Sequence, residues 1–140
     1  MEYRYLFKAK RIDNEEWVQG YLVYDNRDKL YRIIMEIQYS TGTCITTDNA
    51  PRVDSSTICQ CTGLKDKNCK LIWENDILVG HLDDMYPENA TYAQVIWDKN
   101  GFYTKEQDSD DISLMDEFDE KYFEVCGNFF DNPELLEVGE

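Results

Sequence analysis

Apolar residues along this chain recur mostly at every second position, in short runs cut off by turn residues, which is the spacing of strands rather than helices. Tyr3, Tyr5 and Phe7 alternate with Arg4, Leu6 and Lys8. After the turn Asp13-Asn14-Glu15-Glu16, the run Trp17 to Tyr24 returns as a second strand. Gly20 inside it predicts a bulge or a close approach of backbone. Asp25 to Asp28 is the next turn, and Leu30 to Tyr39, rich in β-branched and aromatic residues, reads as a strand. Residues 40–54 are turn-rich, with room for short strands at Thr43 to Thr47 and Arg52 to Val53.

Val53 to Cys61 is extended, and Gly63 punctuates it. Lys65-Asp66-Lys67-Asn68 is a turn whose Asp and Asn bond their own backbone. Leu71-Ile72-Trp73, the acidic turn Glu74-Asn75-Asp76 and the strand Ile77-Leu78-Val79 follow, up to Gly80. A loop over residues 83–90 surrounds Pro87, and Thr91 to Trp97 is a further strand. Asp98-Lys99-Asn100-Gly101 predicts a hairpin with Asn-Gly at the positive-φ positions of a type I′ turn, and Phe102-Tyr103 begins the return. The acidic stretch 106–120 predicts one short helix from Asp111 to Phe118, and Lys121 to Phe130 predicts a last strand. Asp131 to Leu136 closes the chain as a turn plus one helical turn, with Pro133 at its favoured first position. The expected fold is mainly β, with one or two short helices near the C-terminus.

Composition narrows this picture. The 140 residues suit one domain or two small lobes, and 42% hydrophobic with 14% aromatic residues excludes a disordered chain. Charge is the outlier: 29 acids against 14 bases give −15. A field of that sign repels phosphate backbones and anionic membrane surfaces, so direct nucleic-acid or membrane binding is not expected. It leaves open a solubilising surface, or acids that imitate phosphates and occupy a DNA- or RNA-binding protein. The N-terminal residues carry no apolar signal segment and no long apolar run occurs, so a cytoplasmic location is expected. Five cysteines, an odd number in a chain large enough to fold without staples, agree with a reducing compartment.

Four pieces of sequence then carry a resemblance. Phe7-Lys8-Ala9-Lys10 followed by Glu16-Trp17-Val18-Gln19-Gly20-Tyr21 matches an opening FKAK…xWVxGY. Thr57 to Asp66 matches TIGQYTGLKD, Ile72 to Ile77 matches IYEGDI, and Asn128 to Leu136 matches GNIYDNPELL. In this order and spacing the chain resembles the YopX-like proteins, encoded mainly in bacteriophages and prophages. The resemblance implies an N-terminal β-rich part (residues 1–56) and a C-terminal SH3-like barrel (residues 57–140), packed as one unit, and it implies no activity. The chain departs from the pattern at Cys61, which replaces a tyrosine, and at Cys69 and Asn75, which stand where turn glycines are usual.

Candidate chemistry is sparse. Cys59 and Cys61 sit C-x-C, with Cys69 and His81 beyond, but structural zinc sites favour wider pairs on knuckle turns. A Cys/His pair from His81 with Cys59 or Cys126 is conceivable, and Asp83-Asp84 with Asp108, Asp110 and Asp111 supplies carboxylates for acid–base work or a hard cation. The plainer reading makes the thiols core or free surface groups and the acids a solvated loop. Phosphate loops and hydrolase motifs are absent. Tyr86, Tyr92, Trp97, Phe102 and Tyr103 are candidates for an aromatic groove suited to basic or proline-rich peptides. No catalytic, cofactor or metal residue is therefore assigned. The expected function is a non-enzymatic protein-interaction module whose partner, a host or phage protein, presents a basic surface. A nucleic-acid mimic and, more remotely, a carboxylate-dependent hydrolase are the alternatives, and pairing of edge strands between copies leaves a homo-oligomer open.

Overall fold

Thirteen strands and one short helix are present among residues 5–35, 38–39, 42–43, 50–81, 89–107 and 109–137, the part of the chain that this computed structural model describes. They divide into two compact units, Met1–Cys61 and Thr62–Glu140.

The first unit contains β1 (Phe7–Lys10), β2 (Trp17–Asp25), β3 (Leu30–Ile34), β4 (Gln38–Tyr39), β5 (Gly42–Thr43) and β6 (Arg52–Val53), and β7 (Cys59–Lys65) begins in it. Its main sheet is antiparallel, in the order β6-β3-β2-β1-β7. Of the short strands expected at Thr43 to Thr47 and Arg52 to Val53, the second is β6, which pairs with β3, Tyr31 facing Val53, while residues 44–47 lie outside the described part. β5 pairs with β4. Alternation along β2 turns Val18 and Leu22 toward Ala9, Ile33 and Val53, the buried cluster of this unit. Gly20 lies on the same face, close against β3. A Cβ there would lie 2.3 Å from the Ile34 carbonyl oxygen, so only glycine fits the approach that its place in the strand predicts. Arg32 is buried and fully engaged: Nε donates to Asp25 at 2.9 Å, one terminal nitrogen to the Ala50 carbonyl at 2.7 Å, and the other to Asp28. Such pairing offsets the desolvation of a buried guanidinium.

The second unit holds the end of β7, β8 (Leu71–Trp73), β9 (Asp76–Gly80), β10 (Thr91–Asp98), β11 (Gly101–Glu106), β12 (Ile112–Leu114), α1 (Glu117–Tyr122) and β13 (Glu124–Asn128), with a 3-10 turn at Pro133–Leu136. Its sheet runs β12-β11-β10-β9-β13, all antiparallel. Ile72, Leu78, Val95, Met115 and Phe123 form its core, with Leu64, Phe102 and Val125 against it. The architecture is mainly β, but this sheet ends in two edge strands, β12 and β13, that do not pair with each other, and no sheet among the described residues closes. The expected SH3-like barrel is therefore not confirmed.

Three turns explain how these strands are aimed. Cys69 (φ 66°) and Asn75 (φ 69°) occupy left-handed backbone, the conformation glycine favours and the one the departures from the family pattern pointed to. Asp66 is buried, and its carboxylate accepts the backbone N–H groups of Asn68, Lys70 and Val125, each at 2.9 Å. The third turn corrects the sequence reading. Asp98 faces Gly101 across the β10–β11 hairpin, so the loop residues are Lys99 and Asn100, and it is Lys99 that has positive φ. The register is held by cross-strand pairs such as Trp97 with Phe102, and the Asn-Gly dipeptide is displaced by one position.

The helix is also displaced. Asp116, not Asp111, is its N-cap: its side chain accepts from Phe118 N–H, and Asp119 accepts from Asp116 N–H in a capping box. Residues 112–114 are therefore strand, and α1 takes Lys121 and Tyr122 from the expected last strand.

Candidate functional site

β12 is a three-residue edge strand with every residue exposed. Ile112-Ser113-Leu114 alternates apolar and polar residues and pairs with β11, Leu114 facing Tyr103 and Ile112 facing Lys105. Its other side has no strand among the described residues, so its outward N–H and C=O groups form a template for another chain. Leu114 is 61% exposed and Ile112 36% exposed. Leu114 lies over Gly101 at the hairpin, where an added Cβ would meet its Cδ1 at 3.4 Å. Toward α1, a recess of about 170 Å³ is lined by Thr104, Ser113, Leu114, Phe118 and Phe123 among others. Phe118 and Tyr122, one helical turn apart on α1, pack at 4.6 Å between ring centroids and are both exposed. A strand laid along β12 would thus meet apolar side chains.

The electrostatics are one-sided. Up to Cys61 the chain has nine acids and eight bases. From Thr62 on it has 20 acids and six bases, so the second unit carries −14 of the total −15. Asp110, Asp111, Asp116 and Glu117 flank β12 and are exposed. Asp119 differs from them. Its carboxyl is buried, and desolvation, with a contribution from the nearby Asp116 charge, raises its pKa above the ordinary 3.8.

The residues singled out from sequence disperse. Trp97 and Phe102 are a cross-strand edge-to-face pair, 5.0 Å apart, with Trp97 half exposed and Phe102 packed on the core. Tyr103 lies on the other face of the sheet, opposite Ile96 and Leu114, as alternation requires. Tyr92, paired with Val79, shares that face. Tyr86, Asp83, Asp84 and Asp108 lie outside the described residues. Cys59 and Cys61 are buried, with the Cys59 thiol donating to the Thr57 carbonyl at 3.3 Å; Cys69 is exposed in its turn. Cys126 points its thiol at the Ile77 carbonyl (3.4 Å), and desolvation, with Glu124 and Asp76 nearby, raises its pKa. That is the reverse of an activated thiolate. His81 is exposed at the end of β9. Among the described residues no three His, Cys, Asp or Glu side chains group as metal ligands. No described helix is long and apolar enough to cross a membrane.

Sequence reasoning missed β12 because Asp111 to Phe118, within the acidic stretch 106–120, read as a short helix. The available signal was the Ile-Ser-Leu alternation ahead of Asp116-x-x-Asp119, a capping pattern that starts the helix at Glu117 instead of Asp111.

Fold and site thus define a mainly β protein of two units, one nearly neutral and one strongly acidic, with an exposed edge strand in the acidic one. The YopX protein family model matches residues 6–137, and the chain belongs to that family. No curated protein matches the sequence. Among solved structures, the crystal structure of protein EF1440 from Enterococcus faecalis is similar in fold, with a TM-score of 0.58 at 24% identity, over 94% of this chain and 96% of that one.

Proposed function

We propose that this YopX family member is a non-enzymatic protein-interaction module that recognises an extended, basic segment of a partner protein by adding it as a strand to β12. The observation that carries this reading is the exposed edge of Ile112–Leu114, which has no strand on its outer side among the described residues, with apolar side chains beside it and four carboxylates around it. Strand addition supplies affinity through main-chain hydrogen bonds, and specificity through alternate side chains. Here the partner's apolar residues would rest on Leu114 and against Phe118, and its Lys or Arg residues would face Asp110, Asp111, Asp116 and Glu117. A second copy of this chain is a poor occupant, since each second unit carries −14. The partner is a host or phage protein with a basic surface, met in the cytoplasm.

The test is an NMR titration of the full chain with a short capped peptide of alternating lysine and valine. Amide shifts centred on 112–114 that weaken as salt rises are expected, along with no response to the alternating glutamate–valine peptide. Leu114→Asp should abolish the response while leaving the dispersion of the remaining spectrum intact. Equal responses to both peptides, or an unaltered response in Leu114→Asp, would refute the assignment.

A further inference from the structure

The first unit holds a recess with a chemistry opposite to that of the acidic second unit. Its volume is about 390 Å³, within the roughly 300–1,000 Å³ of small-molecule sites. It arises from register. Tyr24 faces Tyr31 across β2 and β3, Tyr31 faces Val53 of β6, and Val53 makes an isolated bridge to Arg11 just past β1. Directly opposed residues point to one face of a sheet, so these four side chains continue the face that carries the buried Ile33 and Val53. The recess opens where that core runs out. The bridge is firm: Ile12 N–H donates to the Arg52 carbonyl at 3.0 Å and Asp54 N–H to the Lys10 carbonyl at 2.8 Å.

The walls are apolar and aromatic. Tyr24 and Tyr31 meet edge to face with centroids 5.1 Å apart, yet they are 50% and 37% exposed, and Ile12 is 52% exposed. Three large apolar side chains thus face a concavity with Val53 among its lining. Three cations line it: Arg11, Lys29 and Lys10, whose Nζ lies over the Trp17 ring, 5.5 Å from its centroid. Arg11 is braced by a two-point ion pair with Asp13, Nε and a terminal nitrogen each donating at 2.9 Å. Lys29 sits at a left-handed position (φ 56°) closing the β2–β3 turn, with its N–H on the Asp25 carbonyl at 2.7 Å. Two carboxylates also line the recess, but Asp54 is turned to its own 3-10 turn, accepting from Ser56 N–H at 3.0 Å and Ser56 Oγ at 2.8 Å. Glu15 is exposed at the rim.

We infer that this recess binds a small planar aromatic anion, its ring against Tyr24, Tyr31 and Ile12 and its charged group between Lys29 and Arg11. Offset or edge contacts with tyrosines suit a flat ring, and a charge-assisted bond to lysine orients it. Nucleoside monophosphates and aromatic carboxylates share this chemistry. The site is independent of the β12 edge, so either proposal stands if the other fails.

The experiment is an NMR and calorimetric titration of the full chain with adenosine monophosphate and with 2-naphthoate, each beside its uncharged counterpart, adenosine or 2-naphthalenemethanol. At least one anion is expected to bind with a Kd below about 1 mM and at least about tenfold tighter than its neutral counterpart, a ratio worth about 1.4 kcal/mol. The shifts should fall on Tyr24, Tyr31 and Lys29, and the anion that binds tells phosphate from carboxylate. Lys29→Glu, in an exposed turn, should weaken binding about tenfold or more, while Lys121→Glu in the second unit should leave it unchanged. No saturable binding of either anion, equal binding of the neutral compounds, or unaltered affinity in Lys29→Glu would each overturn the inference.

Discussion

Replacing Asp66 with alanine is the sharpest test of how the second unit is held together. One side chain there satisfies three backbone donors: Asn68 and Lys70 in its own turn and Val125 on β13, 59 residues away. Asn68 and Lys70 are exposed, so water replaces the lost acceptor at part of the cost, and about 1 kcal/mol each is a fair figure. Val125 N–H is part-buried and bonded to a carboxylate, so stranding it costs about 2 kcal/mol. The sum, about 4 kcal/mol, is a large share of the roughly 5–15 kcal/mol by which such chains are stable. Urea unfolding followed by tryptophan fluorescence would read it as a midpoint lowered by about 2 M, taking a slope of about 2 kcal/mol per molar. Asp66→Asn separates the terms. Its oxygen can still serve the turn, but its NH2 would face Val125 N–H, so about half the loss should remain. A midpoint lowered by less than about 0.5 M in the alanine variant, or an asparagine variant equal to the parent, would refute this account.

Further predictions concern backbone and charge. Gly20→Ala should destabilise by about 2 kcal/mol or more in the same assay, because its Cβ would meet the Ile34 carbonyl oxygen, which belongs to rigid backbone. Cys69→Gly should stabilise by about 1 kcal/mol by relieving left-handed strain at φ 66°, whereas Asn75→Gly should change stability by no more than about 0.5 kcal/mol. Thermal melts from pH 2 to 7 would separate two carboxyls. Asp25 is held below the ordinary 3.8, chiefly by the Arg27 N–H and also by Arg32, so its stabilisation is complete above about 3.8 and lost as pH falls through its lower folded value. Asp25→Asn should flatten that acid limb. Asp119 is raised above 3.8, so its folded form holds the proton more tightly, and stability falls as pH rises through that raised value. Asp119→Asn should remove this decline while keeping the acceptor for Asp116 N–H.

The strands, the glycine contact and the left-handed turns were legible because each rests on local chemistry. Gly20 marks a close approach, Asn75 tolerates positive φ, and Asp66 bonds its own turn. What was not legible depended on partners distant in sequence. Asn-Gly at 100–101 predicted one loop, but pairing of Trp97 with Phe102 fixed another. β6 pairs with β3, and Arg11 meets Val53 across 42 positions, so the first unit's recess has no local signature at all. Its lining residues are scattered from β1 to the turn after β6, and no spacing rule gathers them. The uneven charge was in the sequence throughout. It became visible once the boundary at Cys61 gave two bodies to count.

The brevity and surroundings of β12 have a consequence for the protein's solubility. An open apolar edge invites copies to join, and here that is opposed by three-residue length and by the carboxylates on either side. Their guard is electrostatic, and salt screens it. In about 1 M salt, where exposed charges are screened beyond about 3 Å, the same edge loses its repulsion while its leucine and isoleucine remain. Concentrated protein in such salt should therefore self-associate through residues 112–114, and Ile112→Pro, which removes an outward N–H and leaves every charge in place, should keep it in solution.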